Sequence, residues 1–437
     1  MRTAVVLFTR DLRVHDNPAL AGAMKAAETV VPLFVFDPAL RELSANRHRF
    51  LVESVAELRL ALRQRGADLV VRQGDPVAET MVVAREAGAS GIALAEDVSA
   101  YARRRERRLA AACEENRLSL RSFPGVTVVA PGQLRPGGGG PSYQVFTPYW
   151  RVWRSQPWRT GSPTPRRVAM PDGVAAGRLP ALPAAESSAV VAGGEDAARK
   201  RMKAWLRDLP EYEANHDLMA VDGTSRLSPY LRFGCLSPLE LAQAAIKAGD
   251  EAFLRQLCWH DFYYQVAAAF PALRSQPIRD VKERWRYDDE HLHAWQAGRT
   301  GVPIVDAGMR QLATEGWMHN RARLLTAAYL TKHLDLDWRD GADWFFRLLL
   351  DGDVPTNYGN WQWVAGTGND TKPYRRFNPI RQAHRFDPEG DYVRRYVPEL
   401  SGVEGRAVHE PWKVAADARR GYPEPLAGPR MEVWLPG

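Results

Sequence analysis

Short apolar runs and amphipathic stretches alternate along residues 1–125. Buried strands are predicted where apolar residues are continuous, at residues 3–8, 30–36, 68–71 and 91–95. Helices are predicted where apolar residues recur every three or four positions, at residues 47–65, 76–87 and 101–116. This order predicts a parallel, doubly wound sheet with helices on its faces. The turn after the first strand contains no GxGxxG, so the usual dinucleotide fingerprint is absent there.

The composition changes in the middle of the chain. Residues 135–195 are rich in Pro, Gly, Ala and Ser, which predicts an interdomain linker with one aromatic helical insert. Beyond the linker, helices are predicted at residues 196–209, 238–247, 252–270, 304–314, 321–333 and 342–350. We therefore expect an α/β domain at residues 1–130, a linker at 131–195 and a helical domain at 196–437. Eleven of the 14 Trp residues lie in the helical part, which suits a planar ligand, although indoles also fill helical cores.

Charge and cysteine content narrow the class of protein. The chain of 437 residues has a net charge of +7 and far more Arg than Lys. This balance fits an anionic partner such as nucleic acid, and it equally fits the codon bias of a GC-rich genome. Cys113, Cys235 and Cys258 are too scattered for a disulfide framework or a metal site. Without a signal-like N terminus or an apolar run of membrane-spanning length, a cytoplasmic protein with no membrane partner is expected.

Residues 351–363, DGDVPTNYGNWQW, carry the most unusual side-chain combination in the chain. Two carboxylates, two Asn and two indoles stand within this short segment. Buried carboxylates are unfavourable unless cations or hydrogen-bond donors satisfy them. Beside large indoles, they predict a partly buried pocket for a flat aromatic cofactor rather than a metal or a nucleophile.

Two other segments contain candidate binding residues. Residues 223–234, GTSRLSPYLRFG, place hydroxyls before a predicted helix start, which suits either an anion site or an ordinary N-cap. Residues 316–324, GWMHNRARL, place Asn320, Arg323 and Leu324 on one face of a helix. Arg323 is a candidate ion-pair partner for Asp351 or Asp353, and a surface arginine is the alternative.

These segments, with FTRDLRVHDNPAL near the N terminus, are similar to those of the DNA photolyase and cryptochrome family. The similarity continues through residues 377–400 and 409–412, and so covers nearly the whole chain. The chain most resembles class I cyclobutane pyrimidine dimer photolyases of the actinobacterial type. The resemblance implies a Rossmann-like α/β antenna domain, a linker and a large all-α domain that binds FAD. It also implies a monomeric lyase that repairs DNA in light, by electron transfer from excited FADH⁻ to a flipped-out pyrimidine dimer.

The resemblance assigns most of the site residues to the cofactor. Contacts with the flavin phosphates and ribityl chain are expected from Tyr212, Thr224, Ser225, Arg226, Leu227 and Ser228. Contacts with the ring system and the adenine side are expected from Phe253, His260, Asn320, Arg323, Asp351, Gly352 and Asp353. Asn357 falls where the family places the residue that faces flavin N5. A neutral amide can donate or accept there, which suits a flavin that changes redox state.

The remaining roles concern electron transfer and the lesion. Trp361, Trp338 and Trp285 match the three tryptophans that carry electrons between the flavin and the surface. Contacts with DNA or the dimer are expected from Gln256, Trp259, Asn320, Arg321, Trp363 and Gln382. Trp259 and Trp363 would flank the flipped-out dimer, as aromatic side chains do in base-flipping enzymes. Arg321 would hold a phosphate.

Five positions depart from the family pattern. Gln256 replaces a Glu that bonds the lesion, and it can supply neither negative charge nor a proton. His260 and His216 replace arginines near the flavin or DNA, which weakens phosphate attraction because His is mostly uncharged at neutral pH. Phe253 replaces a Trp, and Leu324 replaces a Met. These changes do not alter the expectation that the chain binds FAD, but they put the efficiency of repair in question.

The antenna and the rival functions depend on fewer residues. Arg47, Asp97 and Arg232 resemble contacts of an 8-hydroxy-5-deazaflavin antenna, which we prefer to methenyltetrahydrofolate; exposed helix charges are the alternative. The (6-4) photolyases have His where Asn320 and Leu324 stand, so that activity is disfavoured. The main rival is a cryptochrome-like blue-light photoreceptor without repair, and a second is a flavoprotein that binds DNA without catalysis. Asn357 and the lack of a long tail after Trp434 favour repair.

Overall fold

A computed structural model of the chain describes residues 2–39, 43–185, 190–221, 223–282, 284–369 and 377–426. The chain forms two compact units. The first unit comprises Met1–Ala185, Val191–Pro210 and Ser225–Ala272. The second unit comprises Glu186–Val190, Glu211–Thr224 and Leu273–Gly437.

The first unit is built on a parallel sheet with the strand order β3-β2-β1-β4-β5. Its strands are β1 (Thr3–Phe8), β2 (Thr29–Phe36), β3 (Val70–Gln73), β4 (Gly91–Ala95) and β5 (Ser119–Phe123). In the register of the central strands, Val5 of β1 pairs with Val31 on one side and Ile92 on the other. The predicted doubly wound parallel sheet is thus confirmed. The sequence analysis missed β5, because SLRSF is an edge strand without a continuous apolar run.

Helices cover the sheet and extend the first unit. They are α1 (Pro18–Ala26), α2 (Ala45–Arg63), α3 (Pro76–Glu86), α4 (Ala100–Glu115), α5 (Phe146–Ser155), α6 (Glu195–Asp208), α8 (Ser228–Phe233), α9 (Pro238–Ala248) and α10 (Glu251–Ala269). The sheet side chains Val5, Leu33 and Leu94 are completely buried between these layers. The Pro- and Gly-rich segment runs along this unit, where the carbonyls of Ala169 and Ala176 accept backbone bonds from β2 and β3.

The described regular structure of the second unit is helical. Its helices are α7 (Tyr212–Asn215), α11 (Asp289–Gln296), α12 (Pro303–Glu315), α13 (Asn320–Lys332), α14 (Trp338–Leu348), α15 (Val354–Ala365), α16 (Pro379–Phe386) and α17 (Asp391–Tyr396). Short 3-10 helices occur at Leu209–Glu211, Pro398–Leu400, Gly405–His409, Pro411–Lys413 and Ala416–Arg419. The predicted helical C-terminal part is confirmed. No helix in the described ranges is both long and apolar enough to cross a bilayer.

Candidate functional site

A cleft of about 510 Å³ lies among α13, α14 and α15 of the second unit. Its lining includes seven residues that the sequence singled out: Asn320, Arg323, Leu324, Asp351, Gly352, Asn357 and Trp361. The two motifs at residues 316–324 and 351–363 therefore meet at one place.

Arg323 and Asp351 form a bidentate ion pair at this cleft. Nη1 and Nη2 of Arg323 donate to the two carboxylate oxygens of Asp351 at 3.1 and 2.9 Å. Nε of Arg323 donates to the carbonyl of Met318 at 2.8 Å, which fixes the plane of the guanidinium. Local structure supports the pair, because the N–H of Leu350 binds the carbonyl of Gly316 and so holds the loop before Asp351 against the end of α12. Of the two aspartates considered from sequence, Asp351 is the partner.

Asn357 is held by its amino group. Nδ2 donates to the backbone carbonyl of Ala342 in α14 at 2.9 Å, and the residue is 9% exposed. This bond uses one of the two amino hydrogens, and the carbonyl oxygen Oδ1 is the amide atom that can accept from a ligand in the cleft. The helix α15 that carries Asn357 begins with Asp353 at its N-cap and Pro355 in its first turn.

The three predicted electron-transfer tryptophans occupy connected parts of the second unit. Trp361 rests directly on the backbone of α14, since a Cβ on Gly341 would lie 2.3 Å from its Cη2 atom. Trp338 is the first residue of α14 and is completely buried. A backbone bridge just before α14 pairs that segment with Arg286, the neighbour of Trp285. Trp361 thus lines the cleft, Trp338 is buried at the start of α14, and Trp285 is half-buried beside the bridge.

Trp295 is an additional indole that the sequence analysis did not single out. Its ring centroid lies 6.0 Å from that of Trp361, and both rings contact Phe345. Trp295 is completely buried and its Nε1 donates to the carbonyl of Thr326. Its position in the apolar face of the short helix α11 was the available signal. The contact with Trp361 could not be read from the sequence.

Arg321, a predicted phosphate contact, has an acidic partner. Its Nε donates to Oδ1 of Asp217 at 2.7 Å and its Nη2 to Oδ2 at 2.5 Å. The guanidinium also lies over the ring of Phe386 at 4.5 Å. His216 approaches the same carboxylate at 3.4 Å. Although burial favours the neutral acid, the hydrogen bonds and charge of Arg321 lower the pKa of Asp217. The sequence analysis did not single out Asp217.

His319 caps the helix that presents Asn320 and Arg321. Its Nδ1 accepts the backbone N–H of Arg321 at 3.1 Å. Burial lowers the pKa of His319 to about 4, and the charges of Arg321 and Arg323 act in the same direction. The imidazole is therefore neutral near pH 7, which leaves Nδ1 able to accept this bond.

The hydroxyl segment predicted at residues 224–228 forms a turn before α8. In the first unit, Oγ of Ser225 accepts the N–H of Leu227, and Arg226 adopts a positive φ of 50°. Nε of Arg201 donates to the carbonyl of Ser225 at 2.8 Å. Ser228 begins α8, and Leu227 is its N-cap without a side-chain cap bond. The local backbone is thus the turn considered from the sequence, but no side chain of the segment caps α8.

The predicted lesion contacts of the first unit lie on α10. Gln256 is exposed, whereas Trp259 and His260 are half-buried. Nδ1 of His260 lies 3.2 Å from Asp261, whose carboxylate also accepts from the Nε1 of Trp153 at 2.8 Å. The fourth residue predicted on this helix, Phe253, is 3% exposed.

Phe146 stacks on Trp259 and was missed by the sequence analysis. The ring centroids are 3.7 Å apart and the planes differ by 5°. Phe262 meets both rings edge-on, at 5.7 and 5.4 Å. Phe146 is the first residue of α5, the aromatic insert in the linker, whose burial was expected but whose partner was not. This packing fixes the plane of the Trp259 indole.

The predicted antenna residues include one that lies at the carboxyl edge of the sheet. Asp97 follows β4, and Nη1 of Arg10, which follows β1, lies 3.3 Å from it. Nε of Arg10 donates to the backbone carbonyl of Arg232. Although burial opposes ionisation, Arg10 and the amide of Ser99 lower the pKa of Asp97. Chain order reverses between β1 and β4, where open α/β sheets bind ligands. Arg47 is 1% exposed on α2.

The other predicted contacts of the second unit are spread over several elements. Tyr212 of α7 is buried beside His216, and Thr224 is half-buried. Trp363 is half-buried, and its ring centroid lies 6.4 Å from that of Phe377. Gln382 is half-buried on α16.

Comparison with known proteins identifies the family. Residues 4–169 match the family profile described as DNA photolyase, and residues 253–431 match that of the FAD binding domain of DNA photolyase. The chain is 49% identical to the deoxyribodipyrimidine photo-lyase of Streptomyces griseus over 438 residues, which cover 98% of this chain and 96% of that relative. It is 35% identical to a cryptochrome DASH of Danio rerio, with 95% of this chain and 87% of the relative covered.

A solved structure gives the same result. The bacterial class III photolyase from Agrobacterium tumefaciens superposes with a TM-score of 0.92 at 33% sequence identity, covering 99% of this chain and 95% of that one. Both domains and nearly the full length are therefore shared with known members. The chain belongs to the DNA photolyase family.

Proposed function

We propose that the protein repairs cyclobutane pyrimidine dimers in DNA with the energy of light and with FAD as its cofactor. The observation that carries this proposal is the cleft among α13, α14 and α15, where the Arg323–Asp351 pair, Asn357 and Trp361 line one space. The 49% identical relative is named for the same activity.

The residues of the cleft fit a flavin. Gly352 adds no side chain to the lining, and Asn357 presents an acceptor oxygen toward which a reduced flavin N–H can donate. Asn320, Arg323, Asp351, Gly352 and Asn357 would hold the cofactor here. The contacts assigned from resemblance to Tyr212, Thr224, Ser225, Arg226, Leu227, Ser228, Phe253, His260 and Asp353 remain predictions.

Each group at the cleft has a separate task in the proposed reaction. Bound FAD, when reduced and excited by light, supplies the electron that opens the dimer ring. Arg323 places a positive charge beside a cofactor that is anionic when reduced, and Asp351 keeps the guanidinium in place. Asn357 accepts a hydrogen bond at a fixed position because α14 holds its amino group. No acid, base or nucleophile is consumed, so these residues act by positioning and electrostatics.

Trp361, Trp338 and Trp285 would supply electrons to an oxidised cofactor. Support comes from their order in the second unit, where Trp361 lines the cleft and Trp285 is half-buried. Burial of the first two indoles excludes water, which would otherwise reorganise around each transient charge. The series would keep the cofactor in its reduced, active form.

The lesion would be held by stacking and by phosphate contacts. Trp259 offers an indole whose plane is fixed by Phe146, and Gln256 is exposed one helical turn away from His260. The assignments of Gln256, Trp259, Asn320, Arg321, Trp363 and Gln382 to DNA remain predictions. The guanidinium of Arg321, which is expected to contact a DNA phosphate, already binds the carboxylate of Asp217.

An antenna at the carboxyl edge of the sheet is the finer part of the proposal. Asp97 and Arg10 form a charged pair at the crossover between β1 and β4, which suits a polar planar ligand. We keep 8-hydroxy-5-deazaflavin as the proposed occupant, with Arg47, Asp97 and Arg232 as its contacts. The monomeric state, the cytoplasmic location and the domain boundaries at residues 130 and 195 also remain predictions.

The alternative is a blue-light photoreceptor without repair, since cryptochromes are among the similar proteins. The reduced protein should be mixed with an oligonucleotide that contains one pyrimidine dimer, and the ultraviolet absorbance of the restored pyrimidines should be followed. Repair predicts recovery of absorbance in blue light and none in the dark. A bound flavin that changes redox state in light, without recovery of absorbance, would instead identify the photoreceptor.

A further inference from the structure

Tyr287 is a large aromatic side chain that the fold leaves in solvent. It is 89% exposed, the highest value among the exposed large hydrophobic side chains of the described residues. It lies two positions after Trp285, the outermost of the three proposed electron-transfer tryptophans. Such exposure contributes little to packing, so the position of Tyr287 gives no evident benefit to stability.

The backbone places Tyr287 and Trp285 on the same side of one segment. Arg286, between them, pairs with Leu336 in a parallel bridge, and its N–H donates to the carbonyl of Asp335 at 2.8 Å. In extended backbone, alternate side chains point the same way and stand roughly 7 Å apart along the chain. The backbone therefore directs the two side chains to the same side of the segment, with the indole half-buried and the phenol in water.

The Tyr287 hydroxyl has a carboxylate partner. It donates to Oδ2 of Asp289 at 3.2 Å. The negative charge of Asp289 raises the pKa of the Tyr287 phenol, so the group is a neutral phenol near pH 7. A phenol becomes strongly acidic when it loses an electron. A carboxylate already hydrogen-bonded to the hydroxyl can take the proton, so no positive charge builds up on the ring.

We propose that Tyr287 is the terminal electron donor of the tryptophan series and that Asp289 accepts its proton. This inference rests on the proposed role of Trp285. One electron passes from Tyr287 to the oxidised indole of Trp285, which returns to its neutral form. The O–H bond of Tyr287 breaks, its proton moves to Asp289, and a neutral phenoxyl radical remains. A dissolved thiol restores the phenol by giving one electron and one proton.

The transfer has a physical advantage for light-driven reduction. A positive charge on Trp285 attracts the transferred electron back out of the cleft along the tryptophans. A neutral phenoxyl radical exerts no such attraction, and its exposure gives dissolved reductants direct access. Tyr287 would thus lengthen the life of the separated charge.

Flash photolysis of the FAD-loaded protein tests the inference. Radical signals of tryptophan and tyrosine should be followed by transient absorption, and by electron paramagnetic resonance with ring-deuterated tyrosine. The wild-type tryptophan signal should decay as a tyrosine signal rises. In Tyr287→Phe the tyrosine signal should be lost and the tryptophan signal should last at least tenfold longer. Asp289→Asn should slow the transfer several-fold.

Tyr101 provides a matched control. It is 43% exposed and its hydroxyl binds the carboxylate of Asp37, so Tyr101→Phe removes a similar phenol elsewhere and should change neither signal. An unchanged tryptophan decay in Tyr287→Phe would overturn the role of Tyr287 alone. Absence of any tryptophan radical in the wild-type protein would instead show that the tryptophan series is wrong, and the inference would fall with it.

Discussion

Replacing Phe146 by Leu removes the flat partner of Trp259 while keeping an apolar side chain in its place. Phe146 is 6% exposed and its ring lies 3.7 Å from that of Trp259, at an angle of 5°. Leu fills most of the volume but cannot stack. The indole should then lose its preferred plane and sample other orientations.

The magnitude follows from the geometry of the pair. Stacked aromatic pairs contribute about 0.5–1.5 kcal/mol beyond the area they bury. If binding of the dimer needs the observed orientation of Trp259, this energy becomes a cost of binding. The affinity for dimer-containing DNA should therefore fall about two- to twelvefold. Undamaged DNA, which offers no flipped-out dimer, should lose less.

Fluorescence anisotropy with dimer-containing and undamaged oligonucleotides measures both affinities. Phe34→Leu is the matched control, since Phe34 is 4% exposed in the same unit and meets Phe36 edge-on at 4.9 Å. Both variants should lose similar thermal stability, but only Phe146→Leu should lose selectivity for the dimer. If Phe146→Leu binds dimer DNA as tightly as Phe34→Leu does, the stack does not position Trp259 for the lesion.

Three further predictions follow from other contacts. Asp217→Asn should free the charge of Arg321, tighten the binding of undamaged duplex DNA and steepen the slope of log affinity against log salt concentration by about 0.9. Glu399→Gln is the control, because it alters an ion pair of similar geometry with Arg310 and should leave the slope unchanged. Equal slopes in the two variants would refute the prediction. Burial lowers the pKa of His409 to about 4, so the contribution of the neutral imidazole to folding stability is complete above the ordinary pKa of about 6.5 and is lost as the pH falls toward 4. In denaturant titrations, the difference in unfolding free energy between the wild type and His409→Gln should change by about 3 kcal/mol over that interval. A constant difference would contradict a buried neutral imidazole. Trp285→Phe should slow photoreduction of oxidised flavin at least tenfold and leave repair by pre-reduced protein unchanged; loss of both would argue against the proposed path.

The buried strands were predictable because each one is a continuous apolar run in the sequence. Strands β1, β2 and β4 lie inside the parallel sheet and are apolar throughout, as strands covered on both faces must be. Strand β5 pairs on one side only and contains Ser and Arg, so no apolar run marks it. Its place in the sheet depends on tertiary contacts with β4.

Helix α15 shows why local propensity was insufficient in the second unit. Pro355, Asn357 and Gly359 are poor helix formers, and the sequence analysis predicted a pocket at this segment and no helix. Burial of Tyr358 and Trp361 on one side of the segment provides the stabilisation that propensity lacks. The predicted pocket nevertheless lies where this segment is, because its unusual side chains line the cleft.

The site residues with known motifs were predictable, and their partners were not. Asp217 is 104 residues from Arg321, and no local pattern connects them. Phe146 is similarly remote from Trp259 and belongs to the aromatic insert of the linker. Gly341 matters because the indole of Trp361 and the side chain of Leu330 lie on it. Contacts of this kind arise from the packing of helices that are distant in sequence, so they require the folded structure.

Repair in light by the reduced protein is the central claim, and its turnover number tests that claim most directly. Pre-reduced protein should be given an excess of dimer-containing oligonucleotide, and the dimers restored per protein molecule counted in blue light and in the dark. The account predicts more than one dimer restored per protein in light and none in the dark. A flavin-loaded protein that binds the oligonucleotide and restores no dimer in light would contradict it.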